Sequence, residues 1–109
     1  MRRLFSILFL AIVLFATGLI YPALAEPLSG KQLFTANCTA CHLGGNNVIL
    51  ANKTLRMEAL EKYGMNSLAA IVTQVKHGKN AMPAFGGRLN DDQIEAIAIY
   101  VLEQSAQGW

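Results

Sequence analysis

The sequence has 109 residues, which is room for one small domain, with 53% hydrophobic residues and a formal net charge of +2. The surplus positive charge equals that of Arg2 and Arg3, so the chain after the amino-terminal segment is neutral by count. A neutral chain without a basic aromatic patch does not suit nucleic-acid binding. Its only two cysteines, Cys38 and Cys41, lie too close together for a disulfide between them to stabilise a small exported domain.

Residues 1–25 have the three-part pattern of a secretory signal peptide. Two arginines precede an unbroken apolar run over residues 7–16, and an A-x-A cleavage site ends at Ala25. We predict cleavage after Ala25, which leaves a domain of residues 26–109 without stable membrane insertion. The alternative is an uncleaved anchor, because the apolar segment is nearly long enough to span a bilayer.

The periodicity after the leader is helical, and no convincing alternating strand is present. Helices are predicted to begin at four capping residues, Ser29, Thr54, Ser67 and Asn90. Glycines at 64 and 78 should end the second and third helices. The last helix should bury a stripe made of Ile94, Ile97, Ala98 and Val101. We therefore predict an all-α fold of about four short helices joined by long irregular connections.

The stretch "NCTACHLGGNN" contains a C-x-x-C-H motif, Cys38, Cys41 and His42, which allows three chemistries. A redox dithiol would normally sit at a helix start beside a sheet, and no such sheet is predicted. A zinc ion held by these residues and His77 would need adjacent side chains to converge on one tetrahedral centre. Covalent haem is the interpretation that accounts for all three motif residues.

In that interpretation the thiols of Cys38 and Cys41 form two thioethers with the porphyrin vinyl groups. The three-residue spacing places both sulfurs on one side of a helical turn, and His42 then lies over the ring face as an iron ligand. A buried porphyrin would also supply apolar core to an 84-residue domain, which is why we expect the haem-free chain to be largely unfolded.

Four residues are candidates for the sixth iron ligand: Met57, Met65, His77 and Met82. Met82 is favoured because it lies in the irregular segment 79–89, between Ala81 and Pro83, where its thioether can be held toward the iron. An iron with histidine and methionine on its two axial positions has no open coordination site. The sequence therefore predicts a carrier of single electrons and not an enzyme.

The stretches "NCTACHLGGNN", "NKTL", "HGKNAMPAFGGRL" and "YVLEQSAQGW" resemble the class I c-type cytochromes, and among them most closely the cytochrome c6 family. That resemblance implies a small cytochrome c fold with Cys38 and Cys41 as thioether attachment points and His42 and Met82 as axial ligands. It also implies that the first and last helices cross closely at Gly30, Phe34 and Tyr100. Gln74 is then expected near the haem, and Arg88 is expected to take part in docking.

The resemblance further implies a soluble electron carrier in the thylakoid lumen, or the periplasm, between the cytochrome b6f complex and photosystem I. Lys76, Lys79 and Arg88 would steer its docking weakly. Two alternatives are a respiratory relative that donates to a terminal cytochrome oxidase and a low-potential regulatory paralogue. From another class, a haem enzyme or sensor would need an open iron site.

Overall fold

The computed structural model describes residues 1–17 and 26–109. The helices in these two segments are α1 Arg2–Thr17, α2 Gly30–Asn37, α3 Thr39–His42, α4 Met57–Lys62, α5 Leu68–His77 and α6 Asp91–Gln107. Within the described segments there is no β-strand, only an isolated bridge between Lys79 and Met82. The all-α prediction is therefore confirmed.

The helix α1 lies within the predicted leader. No helix of the described residues is both long enough and apolar enough to cross a membrane. The predicted cleavage site at Ala25 lies outside the described residues. The signal peptide therefore stays a prediction at this point.

Three of the four predicted helix starts are confirmed by local hydrogen bonds. Ser29 and Asn90 each close a capping box with the glutamine three residues later, and the Ser67 side chain accepts from the N–H of Ala70. These bonds satisfy backbone donors that the first helical turn leaves free. Because each bond joins neighbouring residues, the short sequence pattern was sufficient to predict it.

The second predicted helix begins later than Thr54. The hydroxyl of Thr54 accepts from the N–H of Arg56 at 3.3 Å, so it closes a turn ahead of the helix and does not cap it. The helix α4 starts at Met57 with no side-chain cap. The first helix, α2, runs up to the cysteine motif and ends at Asn37, and the short helix α3 follows Cys38.

The core forms where α6 packs against α2 and α5. At the crossing with α2, a Cβ on Gly30 would collide with the carbonyl oxygen of Ala96 and touch Tyr100 Cβ at 3.0 Å. Beside it the rings of Phe34 and Tyr100 lie 5.3 Å apart, in a tilted arrangement. The predicted α6 stripe is confirmed, since Ile94, Ile97, Ala98 and Val101 are all buried.

Candidate haem site

An apolar cavity of about 380 Å³ lies between α2, α5, α6 and the irregular connections. Its wall includes Cys38, Cys41, His42 and Met82, the four residues that the sequence analysis singled out. They come from two segments 40 residues apart in the sequence, and the fold places both on the same cavity. The predicted site residues therefore share one location.

Cys38 sits at the break between α2 and α3, and Cys41 lies within α3. The N–H of Cys38 still donates to the carbonyl of Phe34 at 2.8 Å, while the N–H of His42 donates to the carbonyl of Cys38 at 2.9 Å. Both thiols are free and half-buried. Burial raises the pKa of Cys38 to about 11. A neutral thiol is the opposite of the low-pKa thiol that a redox dithiol uses, so that alternative loses support.

The imidazole of His42 is oriented by the backbone turn that follows it. Its Nδ1 lies 2.9 Å from the carbonyl oxygen of Asn46. Gly44 and Gly45 make this return possible, because both have positive φ angles, 64° and 78°, that a side chain would oppose. With Nδ1 engaged by a carbonyl, Nε2 is the nitrogen left for a ligand.

Met82 is presented by a tight hairpin. Lys79 and Met82 exchange two backbone hydrogen bonds of 3.0 Å, and Asn80 between them adopts a positive φ of 52°. The amide Nε2 of Gln74 lies 3.5 Å from the sulfur of Met82 and donates to it. The resemblance had implied a role for Gln74 near the haem, and the structure places its amide on this thioether.

The other three candidates for the sixth iron ligand differ in whether they line the cavity. Met65 lines the cavity, whereas Met57 and the exposed His77 do not. Across residues 1–17 and 26–109, no group of three or more His, Cys, Asp or Glu side chains is arranged to hold a metal ion. The zinc interpretation needed His77 as a ligand beside Cys38 and Cys41, and His77 does not lie with them.

One wall of the cavity, the segment 47–53, was not predicted from the sequence. Asn47 shapes it, since its side-chain oxygen accepts from the N–H groups of Ile49 and Leu50 and its amide donates to the Lys53 carbonyl at 3.0 Å. Ile49 is 56% exposed and Leu50 is 41% exposed, so this wall continues onto the surface as an apolar patch. The apolar run "VIL" outside any helical pattern was the available signal.

Among the residues that the structure describes, the charged ones in the cavity lining are all basic. Lys53, Lys79 and Arg88 line it, and none of the seven acidic residues does. The guanidinium of Arg88 lies over the Phe85 ring, 4.5 Å from its centroid. A chain that is neutral by count after the leader therefore has a basic rim around its cavity.

Comparison with known proteins decides the family. Residues 25–101 match the family model described as cytochrome c oxidase, cbb3-type, subunit III. Cytochrome c6 from Synechococcus sp. (strain ATCC 27167 / PCC 6312) is 56% identical over 110 residues, which span 100% of this chain and 98% of the relative. The chain belongs to the cytochrome c6 family.

Two further cytochromes c6 show the same similarity. The one from Bumilleriopsis filiformis is 64% identical over 85 residues, which span 78% of this chain and 99% of the relative. The solved structure of cytochrome c6 from the diatom Phaeodactylum tricornutum is 55% identical and matches with a TM-score of 0.72, over 73% of this chain and 94% of that one. The predicted c-type cytochrome fold is confirmed.

Membership of the cytochrome c6 family gives the chain its cofactor, one covalently bound haem c, and its general role as a c-type cytochrome that carries electrons between redox partners. The residues present fit that cofactor. The cavity wall is largely apolar, as a porphyrin requires, and two thiols, an imidazole and two thioethers face it. The donor set of this cavity is therefore compatible with the haem that the family implies.

Proposed function

We propose that this member of the cytochrome c6 family carries single electrons from the cytochrome b6f complex to photosystem I. The observation that supports this most is the convergence of Cys38, Cys41, His42 and Met82 on one apolar cavity in a chain 56% identical to a cytochrome c6. The protein takes one electron from the reduced complex and gives it to the photo-oxidised photosystem. It thereby alternates between a ferrous and a ferric form.

In this proposal Cys38 and Cys41 would hold the haem by two thioethers, and His42 and Met82 would bind its iron. When bound, the haem supplies a one-electron couple at its iron. The Asn46 carbonyl orients His42, and the Lys79–Met82 hairpin holds the thioether in place. Met82 is a better ligand candidate than Met65 because the Gln74 amide already binds its sulfur and the hairpin limits its backbone.

Two filled axial positions leave no place for a substrate, so we propose a carrier and not an enzyme. Exposure of the reduced protein to carbon monoxide at neutral pH tests this directly. We expect no change in the visible spectrum of the native protein and a clear change in Met82→Ala, whose sixth position is open. Binding of carbon monoxide to the native protein would instead indicate an enzyme or a sensor.

The basic rim of the cavity supports docking to acidic partner surfaces. Lys53, Lys79 and Arg88 surround the cavity, and Lys76 nearby is engaged by Asp91 at 2.8 Å. This pairing makes Lys76 a weaker candidate for electrostatic steering than Lys79 or Arg88. Charge at a rim acts mainly on the rate of encounter, and salt screens it.

The experiment is flash photolysis of photosystem I particles with the purified, haem-loaded protein. We expect rapid re-reduction of the photosystem, slower in Arg88→Gln, with a difference that narrows as the salt concentration rises. Lys31→Gln is the matched control, because Lys31 is exposed on α2 and does not line the cavity. Failure of the native protein to re-reduce the photosystem would contradict the proposal.

A second candidate function is donation to a terminal cytochrome oxidase in respiration. The observation that favours it is the match of residues 25–101 to a family model described by a subunit of a cbb3-type oxidase. Oxygen uptake by oxidase-containing membranes, with the reduced protein as the electron source, distinguishes the two. A rate of electron transfer to the oxidase far above the rate to photosystem I would make respiration the main function.

We further propose that residues 1–25 are a cleaved signal peptide and that the protein works in the thylakoid lumen or the periplasm. The exposed apolar side chains of α1 and its two leading arginines support an export signal. Intact-mass measurement of protein purified from the exported fraction tests this. We expect the mass of residues 26–109 plus one haem. The mass of a chain that still includes residues 1–25 would indicate an anchor.

A further inference from the structure

Trp109 follows α6 and is fixed in an unusual conformation. The backbone at Gly108 turns left-handed with a φ of 85°, and Trp109 itself has a positive φ of 56°. Its N–H donates to the Gln104 carbonyl at 2.9 Å. Its ring lies against Phe34 and Tyr100, with centroid distances of 5.4 and 6.0 Å. The indole is thereby held where α2 meets α6.

The same indole sits on the turn that follows His42. A Cβ on Gly45 would lie 2.5 Å from two ring carbons of Trp109, so only a glycine fits beneath the ring. The indole Nε1 donates to the carbonyl of Leu55 at 2.8 Å, and the N–H of Leu55 donates to the carbonyl of Gly45 at 2.8 Å. Trp109 therefore contacts both Gly45 and Leu55, the two residues that this backbone hydrogen bond joins.

Gly45, which accepts this backbone hydrogen bond, directly precedes the residue whose carbonyl orients the His42 imidazole. The carbonyl of Asn46, directly after Gly45, lies 2.9 Å from His42 Nδ1. A carbonyl on the second ring nitrogen of a metal-binding histidine fixes the ring orientation and raises the basicity of the ligand. The contact of the indole with Gly45 limits where that carbonyl can move.

We propose that Trp109 is a positioning residue for the haem, acting through Gly45 and Asn46 on the orientation and donor strength of His42. This inference rests on the proposed function, in which His42 is an iron ligand. We call the contact between Gly45 and Trp109, which are 64 positions apart in the sequence, the clamp. The clamp joins the end of the last helix to the proximal side of the haem.

The test compares two variants of the haem-loaded protein with a control. Trp109→Leu removes both the ring and the donor, whereas Trp109→Phe keeps an aromatic ring and removes only the Nε1–H. Ile94→Val is the matched control, because Ile94 is fully buried in α6 and does not line the cavity. The readouts are the midpoint potential and the hyperfine-shifted proton NMR signals of the His42 ring in the ferric protein.

A looser Asn46 carbonyl makes the imidazole a weaker donor, which disfavours the ferric state. We therefore expect an upward shift of the potential and moved His42 signals in Trp109→Leu, and a smaller shift in the same direction in Trp109→Phe. Ile94→Val should lower the melting temperature and leave both readouts unchanged. If Trp109→Leu does not retain haem, the comparison of Trp109→Phe with the native protein decides.

The inference is overturned if the Trp109 variants lose thermal stability while the potential and the His42 signals stay as in the native protein. That result would make Trp109 a packing residue only. Failure of the haem ligation on which the proposed function depends looks different, because native ferric protein would then show no hyperfine-shifted histidine signals at all. In that case both the ligand assignment and the clamp would be wrong. Failure of the electron partners alone, seen as no re-reduction of photosystem I, would leave these signals and the inference about Trp109 intact.

Discussion

At the scale of single residues, the thioether of Met82 is the group whose environment the structure defines most sharply. The Gln74 amide donates to its sulfur over 3.5 Å, and the Lys79–Met82 hairpin fixes its backbone. A hydrogen bond to the sulfur withdraws electron density from the iron ligand. It therefore favours the reduced state of the proposed His/Met centre.

We predict that Gln74→Leu lowers the midpoint potential. One hydrogen bond contributes about 0.5–1.5 kcal/mol, and a one-electron couple shifts by about 59 mV for each tenfold change, so the expected fall is roughly 20–60 mV. Potentiometric titration of the haem-loaded protein measures it. Gln104→Leu is a control, because the side chain of Gln104 lies on α6 and does not line the cavity. An unchanged or higher potential in Gln74→Leu would show that the amide does not act on the ligand.

The sequence indicated the candidate haem-binding residues more readily than the groups that position them. Cys38, Cys41 and His42 form a contiguous motif whose spacing is the signal, so they needed no knowledge of the fold. The Asn46 carbonyl gave no signal, because any residue type carries a carbonyl and its position depends on the two positive φ angles before it.

At the scale of elements, the segment between α5 and α6 is held by glycine geometry. Gly78 ends α5 with φ 68° and ψ 174°, a region essentially confined to glycine, and a Cβ there would lie 2.6 Å from the Met82 carbonyl oxygen. Phe85 and Gly86 donate back to the carbonyls of Val75 and Lys76 at 2.9 and 3.1 Å. The end of one helix therefore shapes the hairpin that presents Met82.

We predict that Gly78→Ala destabilises the protein more than Gly64→Ala does. Both residues have φ near 68°, but no atom lies within 4 Å of a Cβ on Gly64. Gly64→Ala should cost about 1–2 kcal/mol from backbone strain alone, and Gly78→Ala roughly 1–3 kcal/mol more, from its glycine-only φ/ψ region together with the collision with the hairpin. Denaturant unfolding gives the difference. Equal losses would mean that the backbone at residue 78 and the hairpin both relax freely.

Helix prediction succeeded where the deciding bonds are local and failed where they are not. The side chains of Ser29, Ser67 and Asn90 cap helices through neighbours within three residues. Thr54 has the same chemistry, but the N–H of its neighbour Leu55 donates to the carbonyl of Gly45 and the Leu55 side chain packs against the core. The helix therefore begins only at Met57. The sequence pattern carries no record of that distant partner.

At the scale of the whole molecule, the core and the haem site are largely one structure. Among the described residues, seven of the ten buried apolar side chains also line the cavity: Phe34, Leu60, Ile71, Val75, Phe85, Ile97 and Val101. A domain of this size has little surplus stability. The haem is therefore expected to contribute a large share of the apolar contacts that stabilise the fold.

We predict that the haem-free protein is largely unfolded at room temperature. Far-ultraviolet circular dichroism of Cys38→Ala/Cys41→Ala, prepared without haem, should show most of the helical signal lost relative to the haem-loaded native protein. The double variant cannot form a disulfide, so the comparison isolates the cofactor. A native-like helical spectrum with a cooperative melt would show that the polypeptide forms its core unaided.

Charge is the whole-molecule property that composition predicted least well. After the leader, acidic and basic residues balance by count, yet Lys53, Lys79 and Arg88 gather at the cavity and the acidic residues lie elsewhere. Counting charges cannot reveal this, because the segregation depends on which surfaces the fold brings together. The docking proposal follows from that arrangement and not from the net charge.

The central claim is a haem held by Cys38 and Cys41 with its iron between His42 and Met82. The most direct test is the visible spectrum of the haem-loaded protein, oxidised and reduced, including the weak far-red band that marks methionine sulfur on ferric haem. We predict a c-type spectrum with that band, retained in Met65→Leu and lost in Met82→Ala. A band that survives in Met82→Ala, or that is absent from the native protein, would contradict the proposed ligation.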